Sequence, residues 1–146
     1  MSLLEIKDLY QEFSNGKSRF AAVDHVSLHI EEGECLGVVG ESGCGKSTTA
    51  SLVMHLKEPD SGSIIFDGRE LNTHQAVKES RKNLQMIFQN PVDSFDPRYT
   101  LLDSVKQGLK YFENPGKAEL ERRAKEAIEY AGLKPSYYNR KIYQLS

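Results

Sequence analysis

The chain has 146 residues, of which 38% are hydrophobic and 27% are charged. This length suits one domain with a buried core, and the composition is that of a folded protein rather than a disordered one. The 19 basic and 21 acidic residues leave a formal net charge of -2. Such a balance excludes broad attraction to nucleic acid or to an anionic membrane surface, so any phosphate binding must come from a local site.

The first part of the chain is predicted to begin with an antiparallel hairpin. Residues 3–13 and 20–30 have strand-like patterns, and the turn signal SNGKS separates them. The apolar run CLGVVG, residues 35–40, predicts a strand buried in a central sheet. A predicted strand therefore directly precedes the glycine-rich segment that follows.

Helices and strands are predicted to alternate after this point. Residues 46–56 have apolar side chains at helical spacing, and residues 63–68 alternate like a strand that ends at a turn. Residues 73–81 are polar and predicted to be helical, and LQMIFQ, residues 84–89, predicts a second apolar strand. This order is typical of an α/β domain.

The remainder of the chain is predicted to be a loop followed by helices. NPVDSFDPR, residues 90–98, contains two prolines and several turn-forming side chains. A helix is then expected from Leu101, with Thr100 as its N-cap. A further helix is expected within residues 116–132, where Glu121 and Lys125 form a charged pair at i, i+4 spacing.

One motif carries chemistry. GESGCGKS, from Gly40 to Ser47, fits the pattern G-x-x-x-x-G-K-[ST]. Its glycines allow successive backbone N–H groups to point at phosphate oxygens, and the helix that follows adds its positive end. The ammonium of Lys46 can reach the terminal phosphates, and the hydroxyl of Ser47 can ligate Mg²⁺. The predicted strand before the motif and helix after it supply the context that a phosphate loop requires.

The chain resembles the ATP-binding cassette (ABC) subunits of membrane transporters. The stretches that carry the resemblance are AVDHVSLHIEEGECLGVVGESGCGKST, EPDSGSIIFDG and LQMIFQNPVDSFDPRYTL. Within that family they are similar to subunits that drive oligopeptide, dipeptide and nickel import. The resemblance implies an α/β P-loop NTPase core with an antiparallel β-subdomain and the start of a helical subdomain. Residues 1–89 would form the β-subdomain and core, and residues 90–146 the Q-loop and helical subdomain.

The resemblance also implies roles for individual residues. Gln89 corresponds to the Q-loop glutamine, which senses Mg²⁺ and the γ-phosphate, and Phe13 falls where an aromatic side chain stacks on adenine. Cys44 stands where serine is common, and its alkylation should block nucleotide binding. The candidate metal contacts, made through the nucleotide, are Ser47 and Gln89, and Lys46 and Gln89 would contribute to catalysis. The complete set of candidate nucleotide-binding residues is Phe13, Gly40, Glu41, Ser42, Gly43, Cys44, Gly45, Lys46, Ser47 and Thr48.

The resemblance implies that the domain is incomplete. Leu145-Ser146 would be the first two residues of a Leu-Ser-Gly-Gly-Gln signature, so we expect an N-terminal piece of a longer cassette. The family's Asp-Glu strand end and switch histidine lie beyond that point. We therefore expect the fragment to bind ATP and Mg²⁺ at most, without hydrolysis. We also expect it to expose sheet edge and apolar surface, and to be marginally stable or oligomeric.

The implied partners are transmembrane permease subunits, a second ABC ATPase subunit and, indirectly, an extracytoplasmic substrate-binding protein. The implied location is the cytoplasmic face of the cell membrane. Two alternatives stay open at this point. One is another P-loop enzyme, such as a kinase, and the other is a short form that binds nucleotide without hydrolysing it and acts as a regulatory module.

Overall fold

The computed structural model describes residues 2–145, apart from the side chain of residue 93. The chain divides into two compact units, residues 1–86 and residues 87–146. The predicted start of the signature motif is only partly covered, because Ser146 lies outside the described residues.

The first unit is built on a four-stranded antiparallel sheet with the strand order β2-β1-β3-β4. Its strands are β1 (Ser2–Ser14), β2 (Arg19–Glu31), β3 (Ser61–Phe66) and β4 (Arg69–Glu70). The predicted hairpin is confirmed, because β1 and β2 pair directly. In its turn, Oδ1 of Asn15 accepts hydrogen bonds from the backbone N–H groups of Lys17 and Ser18, at 3.1 and 2.8 Å.

Two helices pack on this sheet. Helix α1 (Lys46–Val53) is shorter than the predicted residues 46–56, since Met54 is its C-cap and His55 has a positive φ of 47° that cannot continue a right-handed helix. Helix α2 (His74–Ser80) matches the prediction for residues 73–81, with Thr73 as its N-cap. The core between helices and sheet consists of Leu4, Ile6, Leu9, Val23, Leu52, Ile64, Leu71 and Ala76.

Two strand predictions in this part of the chain are wrong. Residues 35–40 and 84–88 have no regular secondary structure. A strand needs neighbouring N–H and C=O groups to pair with, and none of the four described strands pairs with either segment. The apolar side chains of residues 35–40 are consequently exposed, Val39 to 96%.

An open apolar groove of about 470 Å³ accompanies these exposed segments. Its lining includes Leu4, Ile6, Val26, Leu28 and Ile30 of the hairpin, Leu36, Val38 and Val39, and Ala50, Val53, Leu84 and Met86. The expected exposure of apolar surface is therefore seen in the first unit.

The second unit is helical. It contains α3 (Leu101–Phe112), α4 (Lys117–Tyr130) and three 3₁₀ turns, Pro91–Ser94, Pro135–Tyr137 and Ile142–Gln144. Thr100 is the N-cap of α3, as predicted, and accepts a hydrogen bond from the N–H of Asp103 at 3.2 Å. The predicted pair between Lys125 and Glu121 also forms, at 2.7 Å. The core consists of Leu101, Leu102, Ala124 and Ile128.

Candidate nucleotide site

The phosphate loop connects the exposed residues 35–39 to α1. Gly45 is the N-cap of α1 and has a φ of +96°, in the region that side chains rarely adopt. A Cβ atom added there would lie 2.0 Å from the carbonyl oxygen of Ala22 in β2. Glycine is therefore required at this position for two reasons, the backbone angle and the close approach of β2.

Position 43 requires glycine only because of its backbone angle. Its φ is +85°, but a Cβ added there would meet no atom within 4 Å. Gly40 differs again, since a Cβ there would lie 2.6 Å from Sγ of Cys44. The loop thus folds closely on itself between Gly40 and Cys44, and the backbone around Gly43 stays open.

Lys46 folds back over the loop that precedes it. Its Nζ donates hydrogen bonds to the carbonyl oxygens of Gly40 and Glu41, at 2.7 and 2.6 Å, and lies 3.4 Å from Sγ of Cys44. An ammonium group has three donor hydrogens, so these three acceptors satisfy it. The lysine therefore lies against the loop, as the motif requires, and its ammonium group is hydrogen-bonded to atoms of the loop.

The start of α1 is suited to an anion. No side chain caps it, and no acidic residue lies in its first turn. The hydroxyl of Thr49 donates to the carbonyl oxygen of Gly45 at 3.0 Å, and that of Ser51 to the carbonyl oxygen of Ser47 at 2.8 Å. These bonds use carbonyl oxygens and leave the first N–H groups of the helix available to a phosphate.

Phe13 lies in one cleft with the first turn of α1. The cleft has a volume of about 340 Å³ and is lined by Phe13, Ser47, Thr48, Ser51, Leu52, Leu56 and Lys57. Phe13 is half-buried, and its ring centroid lies 5.9 Å from that of Phe20 across the hairpin. Nζ of Lys57 lies 3.8 Å from the Phe13 ring centroid, within cation–π distance. An aromatic face and the phosphate-binding turn therefore share this cleft.

Gln89 lies at a bend in the second unit, with its side chain exposed, rather than at the end of a strand. Pro91 begins the 3₁₀ turn that follows. Farther along, the guanidinium of Arg98 pairs with Asp96 at 2.6 Å, and its hydrogen bonds lower the pKa of Asp96 to about 2. An ion pair therefore links two residues of the loop after Gln89, and the role of Gln89 toward Mg²⁺ stays a prediction.

The first unit brings Phe13, Ser47 and Thr48 to one cleft and wraps the loop from Gly40 to Lys46 beside it. Sequence reasoning missed Lys57 and Asp60, which contact β1 from the connection between α1 and β3. Their local sequence is that of a turn, and only the pairing of distant segments reveals the contacts. No local signal would have identified them.

Within residues 2–145, no group of three or more His, Cys, Asp or Glu side chains is arranged to hold a metal ion. A metal at this site would instead depend on hydroxyl, amide and phosphate oxygens, which are the hard ligands that Mg²⁺ prefers. The helices of the described residues include none with the length and apolarity needed to cross a membrane.

Comparison with known proteins agrees with this geometry. Residues 23–146 match the family described as "ABC transporter". The chain is 39% identical over 148 residues to the "Oligopeptide transport ATP-binding protein OppF" of Bacillus subtilis, covering 99% of this chain and 48% of that relative. It is 36% identical over 146 residues to a "Putative peptide import ATP-binding protein" of Brucella ovis, covering 99% and 46%. The chain spans about half the length of these curated relatives.

A solved structure gives the same result. The chain superposes with a TM-score of 0.84 and 29% identity on a dimeric ATP-binding cassette in a post-hydrolysis state, bound to ADP and Pi. The match covers 98% of this chain and 63% of that one. Together with the phosphate loop and the family match over residues 23–146, it shows that this chain belongs to the ABC transporter ATPase family.

Proposed function

We propose that this chain binds MgATP as part of an ATP-binding subunit that powers peptide import. The backbone of residues 40–48 would hold the phosphates, Lys46 would turn from its loop acceptors toward the terminal phosphates, and Phe13 would stack on adenine. The observation that carries the proposal is the cleft in which Phe13 faces the first turn of α1. Base stacking and phosphate binding need such groups at either end of one cavity.

The metal fits the same arrangement. The hydroxyl of Ser47 is exposed at the start of α1, where it can ligate Mg²⁺ together with phosphate oxygens. The amide oxygen of Gln89 is of the same ligand type, and its role toward Mg²⁺ stays a prediction. In this proposal residues 1–89 form the β-subdomain and core, and residues 90–146 form the Q-loop and helical subdomain.

The activity proposed for the intact subunit is ATP hydrolysis coupled to transport. The chain would bind nucleotide, and the residues that polarise the attacking water would belong to the part of the relatives that lies outside this chain's match. Its partners would be transmembrane permease subunits, at the cytoplasmic face of the membrane, and a second ATPase subunit. Peptide is preferred to nickel as the cargo because both relatives are named for oligopeptide or peptide transport.

Titration with MgATP tests the proposal. We expect Lys46→Ala to abolish binding, because the loop would lose the positive side-chain charge that lies against it. Lys110→Ala is the matched control, since Lys110 is an exposed lysine on α3, far along the chain from the loop. Unchanged affinity in Lys46→Ala would refute the loop assignment.

The family assignment disfavours the kinase alternative, which requires an acceptor pocket for phosphate transfer. The regulatory alternative predicts nucleotide binding by the chain and no ATP hydrolysis by the protein in cells. Measuring ATPase activity of the protein purified from its natural source, with its partners, separates the transport subunit from the regulatory form. Hydrolysis that depends on Lys46 supports the transport subunit, and its absence supports the regulatory form.

A further inference from the structure

Asp60 ties the connection between α1 and β3 to the residues that precede Phe13 in β1. Its Oδ2 accepts one hydrogen bond from Nε2 of Gln11 and one from the backbone N–H of Glu12, both at 2.7 Å. Its own N–H donates to the carbonyl oxygen of Tyr10 at 3.1 Å. Three bonds from one residue therefore reach three consecutive residues of β1. Bonds to a carboxylate are the stronger kind.

The pairing of β1 with β2 is irregular where these bonds form. The register between the two strands shifts between Gln11 and Glu12, the two residues that precede Phe13. A shift of this kind interrupts the ladder and bends the strand. Regular pairing resumes directly after it, with Glu12 opposite Ala21 and Phe13 opposite Phe20. Asp60 accepts the N–H of Glu12 at this irregular position.

Gln11 makes this bond inside the protein. Its side chain is only 1% exposed, and its Nε2 donates to the carbonyl oxygen of Glu12 at 3.0 Å as well as to Asp60. Its Oε1 is buried without a partner among the described residues. A buried amide satisfied only through its NH₂ group depends on those bonds for its orientation. Asp60 therefore orients Gln11 as well as the backbone of Glu12.

The same connection also touches the ring of Phe13. Lys57 lies over that ring, and Leu56 and Lys57 line the cleft between Phe13 and α1. The connection begins at the C-terminal end of α1, whose first turn lies on the other side of the cleft. The connection therefore runs from the end of the phosphate-binding helix to direct contacts with Phe13 and with Glu12.

We propose that Asp60 is a positioning residue for nucleobase recognition, which holds Phe13 at stacking distance from the cleft beside α1. This inference rests on the proposed nucleotide-binding function and adds to it a second determinant of base recognition. The relevant quantity is the preference for ATP over inorganic tripolyphosphate, because the two ligands share the phosphates and differ in the base and ribose.

The test is calorimetric titration of the chain with MgATP and with magnesium tripolyphosphate. We expect Asp60→Ala to reduce the preference for ATP by about fivefold, a part of what loss of one base stack would cause. The affinity for tripolyphosphate should stay within about twofold, because the loop from Gly40 to Lys46 is unchanged. Asp60→Asn keeps a carbonyl acceptor and should restore at least half of the preference.

Two further variants show whether Asp60 acts through Phe13. Glu58→Ala removes another carboxylate of the same connection and should leave the preference unchanged. In a Phe13→Ala background, Asp60→Ala should cause no further loss of preference. Equal weakening of both ligands by Asp60→Ala, or an unchanged preference, would overturn the inference. If the unaltered chain bound neither ligand, the proposed function itself would fail, which is a different result from a lost preference.

Discussion

The ammonium nitrogen of Lys46 lies 2.7 Å from the carbonyl oxygen of Gly40, six residues earlier in the chain. With the bond to the carbonyl oxygen of Glu41, this contact closes the phosphate loop around its own lysine. A phosphate that binds the ammonium of Lys46 would replace these carbonyl acceptors. Since a phosphate is charged and a carbonyl is not, the exchange favours the ligand.

Modification of Cys44 is expected to block nucleotide binding. Its exposed thiol lies 3.4 Å from Nζ of Lys46, so an attached group would occupy the space that the phosphates need. We expect N-ethylmaleimide to abolish MgATP binding, and Cys44→Ser to bind normally and resist the reagent. Cys35→Ser is the control, because it retains Cys44 and should remain sensitive. Persistent inactivation of Cys44→Ser would contradict the prediction.

Gly45→Ala is expected to destabilise the first unit more than Gly43→Ala. Both positions have positive φ, which costs a side chain about 1–2 kcal/mol. At Gly45 the new methyl group would also clash with the carbonyl of Ala22, while at Gly43 it meets no atom within 4 Å. The free energy of unfolding in urea should therefore fall by at least about twice as much for Gly45→Ala. Equal losses would show that β2 moves to accommodate the methyl group.

The stability of the first unit is expected to fall in weak acid because of His55. Burial lowers the pKa of His55 below its usual 6.5, an effect to which Arg81 adds and which Glu58 opposes. Below pH 6.5 the unfolded chain therefore binds a proton that the folded chain does not, and the free energy of unfolding decreases. The loss should continue until the pH falls through the lower pKa of the folded state.

Urea unfolding between pH 7.5 and pH 5 checks this prediction. His55→Gln should flatten the pH dependence in that range, because glutamine does not titrate. His29→Gln is the control, since His29 is exposed on β2. A pH profile that His55→Gln leaves unaltered would assign the dependence to other groups.

In the second unit, Ile128→Ala is expected to cost much more stability than Tyr130→Ala. Both residues lie on α4, but Ile128 is 2% exposed in the helical core and Tyr130 is 97% exposed. Truncation of a buried isoleucine removes apolar contacts and leaves a cavity, at a cost of about 2–5 kcal/mol. The exposed change should stay within about 0.5 kcal/mol. Thermal unfolding followed by circular dichroism measures both, and similar shifts in Tm would be inconsistent with this core.

The apolar groove of the first unit is expected to cause self-association. Val39 is 96% exposed beside Leu36 and Val38, and a contiguous apolar surface of this kind favours contact with another molecule. Val39→Lys should reduce binding of an apolar dye and shift sedimentation toward the monomer. Val92→Lys, at a half-exposed valine of the second unit, should do neither. Unaltered association in Val39→Lys would exclude the groove as its cause.

The sequence by itself determined the local elements and the motif. The hairpin, the Thr100 cap and the phosphate-loop motif each depend on residues close together in the chain, so pattern and turn chemistry were sufficient to predict them. The sequence also showed that residues 35–40 and 84–88 are mostly apolar. A strand, however, needs a neighbouring strand to pair with. None of the described strands supplies one, and both strand predictions failed.

Only the tertiary structure decided which distant residues share the site. It placed Lys57 over Phe13 and joined Asp60 to Gln11, contacts between segments more than forty residues apart. It also showed that Gly45 is required by the approach of β2 as well as by its own backbone angle. Such contacts depend on how the strands and helices pack, and local sequence patterns do not specify that packing.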